Sequence, residues 1–244
     1  MRAARRWCLV AALAATLIAC GDAAKEKASL IGNEISFDVP AARGDTQTIR
    51  LQGIERGSGP DGVVLAHMLG SSQLAWSPLV EDLVKDGFHV LTFDFRGHGL
   101  SGGGRNPSYA DLDLAGAIAK LRSLGASRVL VVGASMGGTA ALAVAASSNL
   151  AGVVTISAPS AIGDLDAAAG MRAYRGPLLV IVAANDDRRY TDAARAIISS
   201  SNAAPKSRRV IAGSGAHGTN LLAEKSTGER VEELIQDFLN GHRG

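Results

Sequence analysis

The sequence predicts an α/β fold with a mostly parallel central sheet of about eight strands and helices on both faces. From Val63 onward, short continuous apolar runs alternate with segments of helical pattern, which is typical of parallel strands buried on both sides. Before that point, two segments alternate apolar and polar residues, which indicates an antiparallel edge. The chain of 244 residues is long enough for one large domain, which we assign to residues 34–244.

Each element of this prediction follows from hydrophobic periodicity and from the turn residues around it. The predicted strands are 35–39, 48–56, 63–66, 90–93, 129–132, 153–156, 178–182 and 209–211. The predicted helices are about 74–86, 109–124, 136–148, 191–201 and 228–239. Open sheets of this type place their sites at the carboxyl ends of the strands, so the loops after the apolar runs are where a site is expected.

The first 19 residues have the pattern of a signal peptide. Three arginines precede an apolar segment, 7–18, that is too short to span a bilayer comfortably. The segment ends in Leu17-Ile18-Ala19-Cys20, which resembles a bacterial lipobox, in which the cysteine is lipidated and becomes the mature N-terminus. An ordinary secretory peptide and an uncut anchor are the alternatives. We therefore expect export to the bacterial cell envelope and a lipid anchor in the bilayer at Cys20.

Residues 20–33 are expected to form the lipidated N-terminus and a polar tether that holds the domain off the membrane surface. The chain carries 25 Lys and Arg against 23 Asp and Glu, but three arginines belong to the leader, so 22 basic residues remain against 23 acidic ones. This balance gives no indication of a nucleic-acid partner. Cys8 is removed with the leader, so no cysteine pair remains for a disulfide or zinc site, and we expect neither a metal nor a cofactor.

The strongest candidate for a reactive residue is Ser135. An apolar run, 129–132, leads into Gly133-Ala134-Ser135-Met136-Gly137, and small helix formers follow. A strand, a tight turn and a helix would place Ser135 at the tip of the turn, and the flanking glycines would allow strand and helix to approach closely. The segment Gly99–Gly103 fits the same pentapeptide pattern, but no strand precedes it directly and no helix follows, so Ser101 is interpreted as a loop serine.

Four further stretches accompany this motif in the same chain order. They are Leu65–Gly70, Asp94–Ser101, the loop around Asp187 and the loop around His217. Together with Gly133–Gly138 they resemble the α/β-hydrolase superfamily over nearly all of residues 35–240. In the first stretch Met68 stands where the family usually has glycine. The resemblance implies a serine hydrolase with Ser135 as nucleophile in a nucleophile elbow.

In this family the catalytic residues follow the order serine, acid, histidine. Of the five histidines, only His217 and His242 come after Ser135. His242 lies in the C-terminal tail, where fraying is expected, so the resemblance assigns the role of general base to His217.

The acid is expected after the strand 178–182, where two aspartates are adjacent. We favour Asp187 because family members often carry Gly-x-x-Asp with an apolar residue three positions later, and Tyr190 fits that position. Asp186 is the alternative, and either aspartate could instead cap a helix.

An oxyanion hole needs two donors. The resemblance assigns them to the backbone N–H groups of Met136 and Leu69. His67, Asp94 and the loop 96–98 are expected to have structural roles or to line the pocket.

The segment that would carry a substrate-selecting cap, 157–176, is too short for a large helical lid, so a shallow pocket for small or medium carboxylic esters is expected. A thioesterase or amidase of the same fold is one alternative. A non-catalytic surface lipoprotein that binds a small apolar ligand is the other.

Overall fold

A computed structural model describes residues 32–244. The predictions for the leader, for lipidation at Cys20 and for the tether up to residue 31 concern residues outside this part of the chain. The strands of the described part are β1 (Asn33–Pro40), β2 (Thr48–Arg56), β3 (Asp61–Ala66), β4 (His89–Phe93), β5 (Arg128–Ala134), β6 (Gly152–Ile156), β7 (Ala161–Ile162), β8 (Leu165–Asp166), β9 (Leu178–Ala183) and β10 (Lys206–Ile211). Its α-helices are α1 (Ser77–Lys85), α2 (Ala110–Ser123), α3 (Met136–Val144), α4 (Ala168–Ala173), α5 (Arg188–Ser200), α6 (Asn220–Ala223) and α7 (Gly228–Asn240).

Eight of these strands form one sheet in the order β1-β2-β4-β3-β5-β6-β9-β10. The pairs β1–β2 and β2–β4 are antiparallel, and all other neighbours are parallel. The predicted fold class is therefore confirmed, including the antiparallel edge. The chain order reverses around β3 and β5, and this is where sheets of this type open a crevice at the carboxyl ends of their strands.

Burial explains why the central strands are continuous apolar runs. Every residue of β4, β6 and β9 is buried, because helices cover both faces of the sheet. Alternate residues of β5 contribute to two separate cores: Val131 packs on one face, with α2 and α3, and Val132 packs on the other, with α1 and α7. No helix in residues 32–244 combines the length and the apolarity that crossing a bilayer requires.

The structure adds local elements that the periodicity did not predict. The segment 157–176 contains the β7–β8 hairpin and the short helix α4. The two strands of the hairpin have two residues each, which is too short to produce a recognisable sequence pattern. Helix α5 begins three residues earlier than predicted, because the side chain of Asp187 accepts a hydrogen bond from the N–H of Arg189 at 2.9 Å and caps the helix. Helix α3 ends at Val144, and a series of turns continues to Asn149.

Candidate active site

Ser135 lies at the turn between β5 and α3, as expected. Its φ and ψ are 47° and −111°, a left-handed conformation that costs a non-glycine residue roughly 1–3 kcal/mol. The surrounding backbone holds it there: the N–H of Ser135 donates to Ile156 O at 2.8 Å, and its carbonyl accepts from Thr139 N at 3.0 Å. Strain that persists in this way is typical of functional sites.

The two flanking glycines are required by close contacts within the turn. A Cβ at Gly133 would lie 2.4 Å from Gly137 O, and a Cβ at Gly137 would lie 2.2 Å from Ala66 O. Both distances are far below van der Waals contact. The pattern Gly-x-Ser-x-Gly is therefore explained here by packing of α3 against β5 and β3, which brings the carboxyl end of β3 beside Ser135.

His217 lies in the loop between β10 and α6, and its ring is partly exposed. The loop is held at both ends, because Asn185 N donates to Ser214 O at 2.9 Å and Asn220 N donates to His217 O at 3.2 Å. His217 Nδ1 lies 3.1 Å from Oδ2 and 3.3 Å from Oδ1 of a carboxylate. A carboxylate only accepts, so Nδ1 carries the proton and Nε2 is left free to accept one.

The carboxylate that contacts His217 belongs to Asp186, so the sequence-based choice of Asp187 as its partner is corrected. The Asp186 side chain is only 3% exposed and lies behind His217. It also accepts a hydrogen bond from the N–H of Asp187 at 2.8 Å. Asp187 points the other way: its side chain is 51% exposed, caps α5 and faces Arg189. In the turn after β9, Asp186 thus contacts His217, whereas the adjacent Asp187 caps helix α5.

Ser135 and His217 line one cleft of about 420 Å³ at the carboxyl end of the sheet. No hydrogen bond joins Ser135 Oγ to His217 Nε2 within the described residues. In free enzymes this contact is often long, and it shortens when substrate binds. The residues that line the cleft are Met68, Leu69, Ser135, Pro159, Ala161, Ile162, Arg189, Tyr190 and His217. Residues 159–162, which form one wall of the cleft at the start of the β7–β8 hairpin, contain no sequence motif from which this position could have been predicted.

The two expected oxyanion donors, the N–H groups of Met136 and Leu69, belong to residues at or beside the cleft that contains Ser135. Met136 is the first residue of α3, and the first N–H groups of a helix have no partner within it. Leu69 lines the cleft, and its N–H donates to no residue in the range 32–244. Neither N–H group therefore has a hydrogen-bond acceptor among residues 32–244.

Two histidines hold the loop that carries Leu69. His67 Nδ1 donates to Met68 O at 2.8 Å, and His67 Nε2 accepts from Phe95 N at 3.0 Å. His98 Nε2 accepts from Gly70 N at 3.2 Å. Burial lowers the pKa of His67 to about 4, so this ring is neutral at neutral pH and can accept the Phe95 N–H. His67 and His98 therefore act as structural supports, as the sequence suggested.

Asp94 and Ser101 form a second structural group, which does not line the cleft. Asp94 accepts from Gln73 N at 2.8 Å, and Ser101 Oγ donates to Asp94 O at 2.6 Å. Ser101 Oγ also accepts from Gln52 N at 2.9 Å, which ties the loop to β2. Both hydrogen-bonding functions of the hydroxyl are thus used, and the interpretation of Ser101 as a loop serine is confirmed.

An aromatic contact beside His217 was not predicted. The ring centroids of Tyr190 and His217 are 4.0 Å apart with an angle of 38° between the planes. The guanidinium of Arg189 lies 4.9 Å from the centroid of Tyr190 on the same helix turn. Tyr190 thus packs on the imidazole in addition to the Asp186 hydrogen bond, and both contacts restrict the orientation of the ring.

Comparison with known proteins confirms the fold. A family model described as the α/β-hydrolase fold matches residues 62–177, a range that includes Ser135 and ends before Asp186. No curated protein sequence matches the chain. Among solved structures, the esterase Pf2001 of Pyrococcus furiosus superposes with a TM-score of 0.72 at 19% identity, over 88% of this chain and 92% of the esterase.

Two further solved structures have the same architecture. A monoacylglycerol lipase of Paleococcus ferrophilus superposes with a TM-score of 0.68 at 19% identity, over 79% of this chain and 99% of the lipase. An enol-lactonase of Burkholderia xenovorans LB400 superposes with a TM-score of 0.65 at 19% identity, over 83% of this chain and 99% of the lactonase. The chain therefore has the α/β-hydrolase fold, and similar structures include an esterase, a lipase and a lactonase.

Proposed function

We propose that the protein is a serine hydrolase that cleaves small or medium carboxylic esters through an acyl-enzyme. The observation that carries the proposal is the contact between His217 Nδ1 and the buried carboxylate of Asp186, on a histidine that shares its cleft with the strained Ser135. A serine hydroxyl is a weak nucleophile at neutral pH and needs an oriented base. The named esterase, lipase and lactonase of the same fold support this reaction class.

The reaction would proceed in two stages. Ser135 Oγ attacks the ester carbonyl while His217 Nε2 takes its proton, and the N–H groups of Met136 and Leu69 bind the resulting oxyanion. The imidazolium, stabilised by Asp186, then gives that proton to the departing alcohol as the C–O bond breaks. In the second stage water attacks the acyl-enzyme, His217 takes a proton from the water, and the same proton returns to Ser135 as the acid leaves. Each oxyanion donor in such a site contributes about 3–4 kcal/mol of transition-state stabilisation.

The size of the cleft supports small or medium substrates. A volume of about 420 Å³ lies at the lower end of the range for small-molecule sites. Its outer wall is the β7–β8 hairpin and the residues before it rather than a stack of helices. Long acyl chains would extend into solvent, so we expect turnover to fall as the acyl chain lengthens.

A fluorophosphonate probe tests this proposal directly. The probe phosphonylates only serines that a neighbouring base activates, so we expect one adduct, on Ser135, found by intact mass and peptide mass spectrometry of the folded protein. Ser101, which lies in the same type of pentapeptide, serves as an internal control and should remain unmodified. Absence of an adduct on Ser135 in folded protein would falsify the proposed function.

Our proposal for localisation rests on the sequence pattern around Cys20. Cleavage before this residue and lipidation of its thiol would anchor the domain at a membrane surface of the bacterial envelope. Substitution Cys20→Ala should move the protein from the membrane fraction to the soluble or uncleaved precursor fraction, and unchanged membrane association of a processed Cys20→Ala protein would contradict the anchor.

A further inference from the structure

The cleft beside Ser135 combines an apolar wall with one permanent charge. Among the described residues that line it, Arg189 is the one with a permanent charge, and none is an Asp or Glu. Because the rest of the wall is largely apolar, an anionic group on a bound substrate would have a single partner of opposite charge, Arg189, and a cationic group would have none in this lining. The apolar lining residues are Met68, Leu69, Pro159, Ala161 and Ile162.

Arg189 is positioned close to the reacting centre. Its guanidinium lies 4.9 Å from the centroid of the Tyr190 ring, and that ring lies 4.0 Å from the imidazole of His217. The cation therefore lies one aromatic ring away from the general base. A group bound to Arg189 would therefore lie in the same cleft as an ester carbonyl at Ser135.

The guanidinium has hydrogen-bonding capacity to spare. Its protein partner is Asp187, with Nη2 at 3.3 Å from Oδ2, in a pair whose side chains are 70% and 51% exposed. Pairs this exposed typically contribute about 0–1 kcal/mol, so the contact with Asp187 is easily rearranged. Within residues 32–244, Nε and Nη1 of Arg189 donate to no other group. A carboxylate is the anion that best matches the planar donors of arginine, because it accepts two parallel N–H bonds.

We infer that the substrate is an ester that also carries a carboxylate, and that Arg189 binds this carboxylate. The inference rests on the proposed function and names the substrate class of the same site. Arg189 would be a specificity residue: it touches the substrate away from the ester bond and does not take part in proton transfer. Apolar atoms between the two groups would contact the apolar residues that line the cleft.

Matched ester pairs test the inference. The first pair is mono-para-nitrophenyl glutarate, which carries a free carboxylate on the acyl side, and the same compound with that carboxylate blocked as a methyl ester. The second pair is para-carboxyphenyl butyrate, which carries the carboxylate on the alcohol side, and the same compound with that carboxylate blocked as a methyl ester. The measured quantity is the charge preference, which is kcat/KM for the charged ester divided by kcat/KM for the neutral one. For at least one pair we expect Arg189→Gln to lower this preference by about tenfold.

Arg188 provides the matched control. It has the same charge and is the next residue in the chain, but its side chain is 92% exposed, pairs with Asp192 and does not line the cleft. Arg188→Gln should leave the charge preference unchanged, and Arg189→Lys should retain part of it. A merely structural role of Arg189 would lower turnover of charged and neutral esters equally. An unchanged preference in Arg189→Gln for both pairs, or an equal loss in Arg188→Gln, would overturn the inference.

A binding measurement separates this inference from the proposed function. In the Ser135→Ala background the esters remain intact, and calorimetry gives their Kd values. We expect Arg189→Gln in that background to weaken binding of the charged ester about tenfold more than binding of its neutral partner. If Ser135 fails to react with the fluorophosphonate, the hydrolase proposal fails, whereas the Kd ratio still decides whether Arg189 binds a carboxylate.

Discussion

Substitution Ser135→Ala is expected to reduce kcat for ester hydrolysis by about four to six orders of magnitude, as loss of the nucleophile does in serine hydrolases. The substitution removes the attacking oxygen and leaves the His217–Asp186 contact and the elbow backbone in place. Alanine accepts the left-handed conformation about as poorly as serine does, so the free energy of unfolding should change by no more than about 0.5 kcal/mol. Steady-state kinetics and urea unfolding measure the two quantities.

Ser101→Ala is the matched control, because both serines lie in a Gly-x-Ser-x-Gly pentapeptide. Ser101 Oγ donates to Asp94 O and accepts from Gln52 N, so its loss should reduce the free energy of unfolding by about 1–2 kcal/mol. Its activity should remain close to that of the native protein under conditions where it is folded. The two substitutions thus have opposite effects on activity and stability. A Ser135→Ala protein that retains ester hydrolysis above one-hundredth of the native rate would contradict the mechanism.

The second large effect is expected at Asp186. Substitution Asp186→Asn should lower kcat by about 10⁴, the usual cost of replacing a triad aspartate by asparagine. The amide is neutral and carries an NH₂ donor as well as an oxygen acceptor, so it neither fixes the proton on Nδ1 nor stabilises the imidazolium. Because the Asp186 side chain is almost fully buried against His217, water cannot replace the missing charge. Single-turnover kinetics with a para-nitrophenyl ester would measure the effect on acylation.

The adjacent substitution Asp187→Asn provides the comparison. Asparagine is as good a helix N-cap as aspartate, so the start of α5 should be preserved. For an uncharged ester we expect kcat within about threefold of the native value, because Asp187 does not contact His217 and does not itself line the cleft; its contact there is with Arg189, which an uncharged ester does not use. A loss of 10³ or more in Asp187→Asn, together with a small effect in Asp186→Asn, would contradict the proposal that Asp186 is the triad acid.

The sheet could be predicted from the sequence because burial on both faces produces long apolar runs. Strands 178–182 and 153–156 have no polar alternation, and the structure places both in the interior of the sheet. The short hairpin over 161–166 could not be predicted in this way, since two residues per strand give no period. Its position depends instead on tertiary contacts with the loop before α2.

The sequence predicted the site residues whose backbone position is fixed by a motif. It did not predict the residue whose role depends on the direction of a side chain within one turn. Ser135 follows from the strand, the glycines and the helix around it, and His217 follows from its place in the chain. The choice between Asp186 and Asp187 depends on which way each side chain leaves the turn after β9, and neighbouring aspartates have the same local propensities. Tyr190 explains why the sequence pattern favoured Asp187, since the pattern expects an apolar residue three positions after the acid. In the structure Tyr190 does pack on His217, but it follows the aspartate that contacts His217, Asp186, by four positions.

The β7–β8 hairpin determines how substrate reaches Ser135. The turn of the hairpin is fixed to the loop before α2, since Asp164 N donates to Ser108 Oγ at 2.9 Å. Because the wall is short and fixed at its turn, we expect it to move little when an ester binds, so that the entrance stays open throughout the reaction. Enzymes with mobile lids are often limited by opening or product release and can require a lipid interface to open. Here kcat would be set by acylation or deacylation, and hydrolysis would show no interfacial activation.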